Sequence, residues 1–253
     1  MVYTSLTEAP QNLKEAIDWL IALKGTDAEN NMKAFGDAVY KFLADKPVGY
    51  TKLPALEKVK VITKEFLEQK ELKDMWPASE LLGRFNNPMD KKPNVIVRLL
   101  RVVDESDYTN IIQTQGVKAE DVAKDLGNVV AGCEKFLDDI KHPDHYESSY
   151  SSKATWTKSC AKNPEDCAAV FVGIAPMLYA GLRSLREAGN PNIFGRVTSN
   201  ADKLLGKVLK AVGYKEEECA AGMGGSDIRN ALRGVKFQML VTLYDLAGFW
   251  AFY

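Results

Sequence analysis

The chain is poor in the residues that most catalytic and metal chemistry uses. Among 253 residues there are two histidines, His142 and His145, and four cysteines, Cys133, Cys160, Cys167 and Cys219. Four cysteines are too few for a disulfide-built scaffold, although an even number leaves two bridges open, connected in any of three ways. Lys plus Arg (33) and Asp plus Glu (34) nearly cancel to a formal charge of −1, and no segment is strongly basic. Nucleic-acid binding, which needs a basic face, is therefore not expected. The opening "MVYTSLTEAPQNLKEAIDW" has no basic region followed by an apolar one, so it does not read as a conventional signal peptide. The sequon Asn-x-Ser/Thr is absent, which removes any glycan argument for secretion.

A long apolar run is also lacking. The uncharged stretch from Ala168 to Leu182, inside "CAAVFVGIAPMLYAGL", has 15 residues between Asp166 on one side and Arg183 on the other. At helical rise that covers about 22 Å, against roughly 30 Å of hydrocarbon. Pro176 cannot donate its backbone hydrogen bond and crowds the carbonyl of Val172, which predicts a kink. A helix that is apolar nearly all round belongs at the centre of a bundle in water. Ala168, Ala169, Gly173, Ala175 and Gly181 let neighbouring helices come close. The stretch reads as a core helix and not as a membrane span.

What the sequence does hold is helical periodicity. Leu13, Ile17, Leu20 and Leu23 recur on one face between Pro10, suited to a first turn, and Gly25, suited to a stop. Asp27 can cap a second helix carrying Met32, Phe35, Val39 and Phe42. Pro54 opens a third, with Leu56, Val59, Ile62 and Phe66 inward and Lys58, Lys60, Lys64 and Glu65 toward solvent. Residues 74–93 read as a connector holding a short helix near Ala78 to Phe85. "NVIVRLLRVV" has strand-like β-branching but no partner strand, so helix is preferred. Further helices are expected from Lys118 to Ile140, from Asn163-Pro164 to about Gly189, and over "SNADKLLGKVLKAVG". A last helix carries Leu232, Val235, Met239, Leu243, Leu246 and Trp250. The fold class is all-α: one helical domain spanning 1–253, a long-helix bundle with a smaller helical insertion at 50–115 and a long polar loop at 141–163.

Candidate sites are few. "HPDHYE" places His142, His145 and Glu147 together, yet the i, i+4 spacing of helical zinc sites is missing and no third ligand completes a tetrahedral set. No metal is expected there. "GMGGSD", residues 222–227, precedes a helix but follows no strand and lacks a phosphate-loop lysine; a turn capped by Ser226 or Asp227 accounts for it. Nucleophile–histidine pairs need a histidine held by packing, and both lie in the longest polar loop. No catalytic residue and no cofactor are expected. Cys160 and Cys167, seven apart, can bridge the end of that loop to the start of the core helix; in a reducing compartment both stay free. An exposed recognition surface is expected from His142 to Lys158, with His142, His145, Tyr146, Tyr150 and Trp156 as its contact residues.

"NLKEAIDWL", residues 12–20, resembles the start of the variant erythrocyte surface antigen family of Babesia parasites. "CAAVFVGIAPMLYAGLRSL", residues 167–185, is similar to that family's cysteine followed by an apolar Gly-x-x-Pro-Leu-type stretch, and "LLGKVLKAVGY", residues 204–214, is a weaker echo. Residues 51–117 show no such likeness. The resemblance implies a non-enzymatic protein exported to the infected red cell, at or near its surface, with a role in antigenic variation and contact with host ligands. Antibodies and a host or parasite surface protein are its implied partners. Larger members resemble membrane-anchored proteins with a cysteine-rich region, whereas four cysteines and no span point here to a soluble monomer. The rival expectation is an intracellular helical adaptor that is never exported.

Overall fold

The computed structural model describes residues 2–44, 54–86, 99, 116–190, 198–236, 239–243 and 245, with the backbone alone for 198–202. The chain is all-α. The helices bounded within the described residues are α1 (Leu13–Lys24), α2 (Ala28–Ala44), α3 (Pro54–Leu67), α4 (Ala78–Asn86), α5 (Ala119–Ile140), α6 (Trp156–Ser159), α7 (Pro164–Ala188), α8 (Thr198–Ala211) and α9 (Gly225–Ala231). Among the described residues there is no strand, only two isolated bridges, Tyr3 with Tyr150 and Lys141 with Cys219.

Helix α7 is the axis of the molecule. Every side chain from Cys167 to Leu182 is buried, and α1, α2, α3, α4, α8 and α9 all pack on it. At 25 residues it is longer than its uncharged stretch suggests, and by length and composition it could cross a membrane. Length therefore does not decide its role. Burial does: 94% of its most apolar window lies inside the protein, as expected of a core helix. The helix runs through Pro176. In the turn before it, the fully buried Thr63 hydroxyl of α3 donates to the Gly173 carbonyl at 2.7 Å.

Small residues set how closely the helices approach, as the sequence suggests for Gly173 and Gly181. A Cβ on Gly173 would lie 2.6 Å from Val59, and one on Gly181 would lie 3.0 Å from Leu13. At Gly36, α2 meets the backbone of α5: a Cβ there would lie 2.4 Å from Ala123 Cβ and 2.5 Å from its Cα. Beside it an aromatic cluster fills the centre. The Phe35 ring meets Phe171 edge-on at 5.2 Å and Trp156 at 6.1 Å, and the Trp19 indole N–H donates to the Leu6 carbonyl at 2.8 Å.

Several expectations need correcting. Helix α1 starts at Leu13, because the Asn12 side chain accepts the Glu15 N–H and caps it there; Pro10 lies ahead of the helix. Lys60 is not a solvent residue: it is buried, with its ammonium 3.1 Å from Glu57 and 5.4 Å above the Phe85 ring. The last helix is broken. α9 ends at Ala231, a 3-10 turn spans Leu232–Gly234, Val235 leaves helical geometry, and helix resumes by Met239. Gly234, a poor helix former, sits against the Lys135 stem at the break. Leu232, Val235, Met239 and Leu243 are nonetheless buried as the spacing implies. Apart from Leu99, the helix expected over "NVIVRLLRVV" lies outside the described residues, as do about half of the 50–115 insertion and Leu246 and Trp250.

The close approaches make opposite forecasts for two glycines. Gly36→Ala drives a methyl into the α5 backbone and should cost about 2–3 kcal/mol, in the range of overpacked cores. Gly127→Ala, mid-helix in α5 with nothing within 4 Å of the new Cβ, should stabilise by about 0.5–1 kcal/mol. Urea denaturation of the two variants measures both.

Candidate interaction site

The block "NLKEAIDWL" places Lys14 and Asp18 one turn apart on the face of α1 that looks inward. Both are buried, and so is Glu218, which arrives from the turn after α8. The Lys14 ammonium lies 3.6 Å from Asp18 Oδ2 and 3.4 Å from Glu218 Oε1. It also donates to the Glu147 carbonyl at 2.8 Å and sits 4.6 Å above the Tyr146 ring. Asp18 in turn accepts the Tyr146 hydroxyl at 2.6 Å and the Ser149 N–H at 2.8 Å. Glu218 accepts the Lys215 N–H at 3.1 Å. One cation thus holds two carboxylates together, with hydrogen bonds on the remaining oxygens, as buried charges require.

Burial raises the Asp18 carboxyl above the ordinary range, although Tyr146, Ser149 and Lys14 all pull the other way. Burial, then the neighbouring Asp18 charge, likewise raises the Tyr146 phenol. A carboxyl raised on folding holds its proton more tightly folded than unfolded. Its contribution to stability is full below its unfolded value and is lost as pH rises through its folded one.

The loop from His142 to Lys158 is stitched down along its inner side. The Tyr3 N–H donates to the Ser149 carbonyl at 2.8 Å, and the Ser151 N–H returns to the Tyr3 carbonyl at 2.9 Å. The rings of Tyr3 and Tyr150 stack at 4.8 Å. The Tyr3 hydroxyl donates to Glu15 at 2.9 Å and the Tyr150 hydroxyl to the Glu8 carbonyl at 2.6 Å. Tyr150 and Trp156 are therefore core residues, 5% and 6% exposed, and Tyr146 is half-buried against α1. This corrects the expectation of an exposed aromatic surface. The aromatic rings serve to anchor the loop, and its outward positions include Asp144, His145, Glu147, Ser148 and Lys153. The sequence carries no local sign of this, because the partners of Tyr146 and Tyr150 lie more than a hundred residues away.

His142 and His145, with ring centroids 4.5 Å apart, border a cavity of about 1290 Å³. It is also lined by Leu205 and Leu209 of α8, by Tyr214, and by the turn through Cys219 and Met223. Lys210 and Glu217 are among the charged residues that line it. His142 is held by its backbone: its N–H donates to the Glu218 carbonyl at 2.8 Å, and its carbonyl accepts the Tyr146 N–H at 2.9 Å. Among the described residues His142 Nδ1 and the Tyr214 hydroxyl are buried without a hydrogen-bond partner. Burial raises the Tyr214 phenol strongly. The arrangement is a cleft with an apolar floor and a mixed-charge rim, which suits binding.

Cys160 and Cys167 are bonded to one another, and Cys133 and Cys219 are free. Of the two bridges the cysteine count leaves open, one is formed. Burial pushes the Cys133 thiol up to about 12 and the Cys219 thiol up to about 11, which makes both poor nucleophiles. Among the described residues no three His, Cys, Asp or Glu side chains gather as a metal-ligand set. The turn before α9 is capped as expected at Asp227, whose carboxylate accepts the Gly224 N–H at 2.9 Å. Compared with protein-family models, with curated proteins and with solved structures, the chain finds no match.

Asp18→Ala strips the acceptor from Tyr146 and Ser149 and leaves Lys14 with a single carboxylate. A loss of about 3–5 kcal/mol is expected, the usual cost of breaking a buried pair. Asp18→Asn should flatten the fall of stability as pH rises above the carboxylate range. Denaturant midpoints measured from pH 4 to 8 test both.

Proposed function

We propose that this chain is a non-enzymatic recognition protein of the variant erythrocyte surface antigen family, exported by the parasite to the surface of the infected red cell. The observation that carries the reading is the Cys160–Cys167 bridge, which joins the polar loop to the first turn of α7. Disulfides persist in oxidising surroundings and are rare in the cytosol. The layout of the loop supports the same reading. Its backbone is fixed by Asp18 and Tyr3 and its Tyr150 hydroxyl by the Glu8 carbonyl, while Asp144, His145 and Glu147 point outward. Such a frame lets outward residues change under antibody pressure without disturbing the core. The recognition face in this proposal comprises those residues and the histidine-bordered cavity, and its partners are a host surface protein and host antibodies. The chain acts as a soluble monomer with α7 inside it. The alternative, an unexported helical adaptor, draws its support from Cys133 and Cys219, which stay reduced.

Thiol counting on denatured protein from infected cells separates the two. Export predicts two reactive thiols before reduction and four after; an adaptor kept in the cytosol gives four throughout. Antibody staining of intact infected cells should be positive without permeabilisation. The bridge closes a short loop, so replacing Cys160 and Cys167 together with Ala should lower stability by about 2–3 kcal/mol, as read by thermal or urea unfolding.

A further inference from the structure

A second cavity, of about 380 Å³, opens where the end of α7 meets α9. Three arginines line it: Arg186 from the last turn of α7, Arg229 from α9, and Arg233 from the 3-10 turn that follows. Asn190, Asn230 and Ser226 add polar side chains, and no carboxylate is among the described lining residues. The frame is rigid. A Cβ on Gly225 would lie 2.8 Å from the Gly189 carbonyl, so the two helix ends meet backbone to backbone, and the Arg229 guanidinium donates to that same carbonyl.

Structural duty accounts for only part of this cluster. Arg186 complements the negative end of α7, and Arg229 ties α9 to Gly189. Arg233 has neither task. Among the described residues neither Arg186 nor Arg233 has an ion-pair partner, whereas Arg84 of α4 pairs with Glu80. Three like charges around one cleft repel one another and focus a positive potential on it. An oxyanion relieves that repulsion, and the guanidinium fork matches phosphate or sulfate oxygens two at a time.

The volume and the remaining side chains narrow the ligand. The cleft falls in the range of small-molecule sites, about 300–1,000 Å³, and exceeds what a bare oxyanion fills. Amide and hydroxyl groups suit the hydroxyls of a sugar. A bilayer surface fits less well, since none of the large exposed apolar residues among those described, Val2, Val61, Trp76 and Leu99, lines the cleft. We propose that the Arg186–Arg229–Arg233 cleft binds a sugar-sized phosphate or sulfate ester. This holds wherever the protein resides.

Calorimetry on the full chain tests it with glucose 6-phosphate, glucose 6-sulfate, inorganic phosphate and glucose. At least one ester should bind more tightly than inorganic phosphate, and glucose should not bind. The stronger ester identifies the source chemistry. Affinity should fall as salt is raised from 20 to 150 mM. Arg186→Gln with Arg233→Gln should weaken ester binding about 10-fold or more, because two charge-assisted hydrogen-bonding groups are removed, in a variant that stays folded. The Lys replacements keep the charge without the fork and should recover part of the affinity. Ester binding no tighter than glucose, or no tighter than inorganic phosphate, overturns the proposal. So does ester binding unchanged in a folded double Gln variant. Binding confined to vesicles of anionic phospholipid overturns it in favour of a membrane surface.

Discussion

A helix with apolar side chains on every face must be covered on every face, and in this protein α7 imposes that demand on everything else. From Cys167 to Leu182 no side chain is left to solvent. Each fully covered Val, Leu or Phe contributes about 1.5–3 kcal/mol relative to exposure, so any neighbour that withdrew would uncover a costly strip. The helices around it are amphipathic for that reason. Gly173 and Gly181 let α3 and α1 close in until side chains touch the α7 backbone. The disulfide then fixes the first turn of α7 to the polar loop.

The second constraint is polar. Lys14 lies between Asp18 and Glu218, and the loop from Tyr146 to Ser149 closes over the pair. Buried ion pairs add little net stability over apolar side chains of the same shape, but breaking one is costly. Their effect here is alignment. Only one register of the loop against α1 gives Asp18 both of its donors and places the Glu147 carbonyl on Lys14. The loop is long and polar in composition, and ordered in fact. Its outward residues, and the cavity beside His142, are thereby presented on a fixed frame.

What the sequence makes legible is whatever depends on near neighbours along the chain. The face of α5 from Leu126 to Ile140, the start of α7 at Pro164, and the reach of Cys160 to Cys167 all follow from local spacing. The misreadings share a different cause. Tyr150 and Trp156 lie among Ser, Thr and Lys, and their burial depends on Tyr3, Glu8 and Phe35, far away in sequence. Lys60 reads as solvent because Phe85, the ring beneath it, belongs to another helix. Leu232 to Leu243 keeps an apolar rhythm across a break that Gly234 makes. The arginine cleft is invisible for the same reason, since Arg186 and Arg229 meet only when α7 and α9 touch at Gly189 and Gly225.

Hydrogen exchange on the native chain in aqueous buffer, without detergent or lipid, tests the central claim most directly. If α7 is the packed axis, the amides from Val170 to Leu182 that are bonded within the helix exchange only by global unfolding, with the free energy that denaturant titration gives. The amides of the exposed loop residues Asp144, Ser148 and Ser152 exchange orders of magnitude sooner. Exchange of the α7 amides at the rate of that loop, or protection that arises only when lipid or detergent is added, would contradict the account.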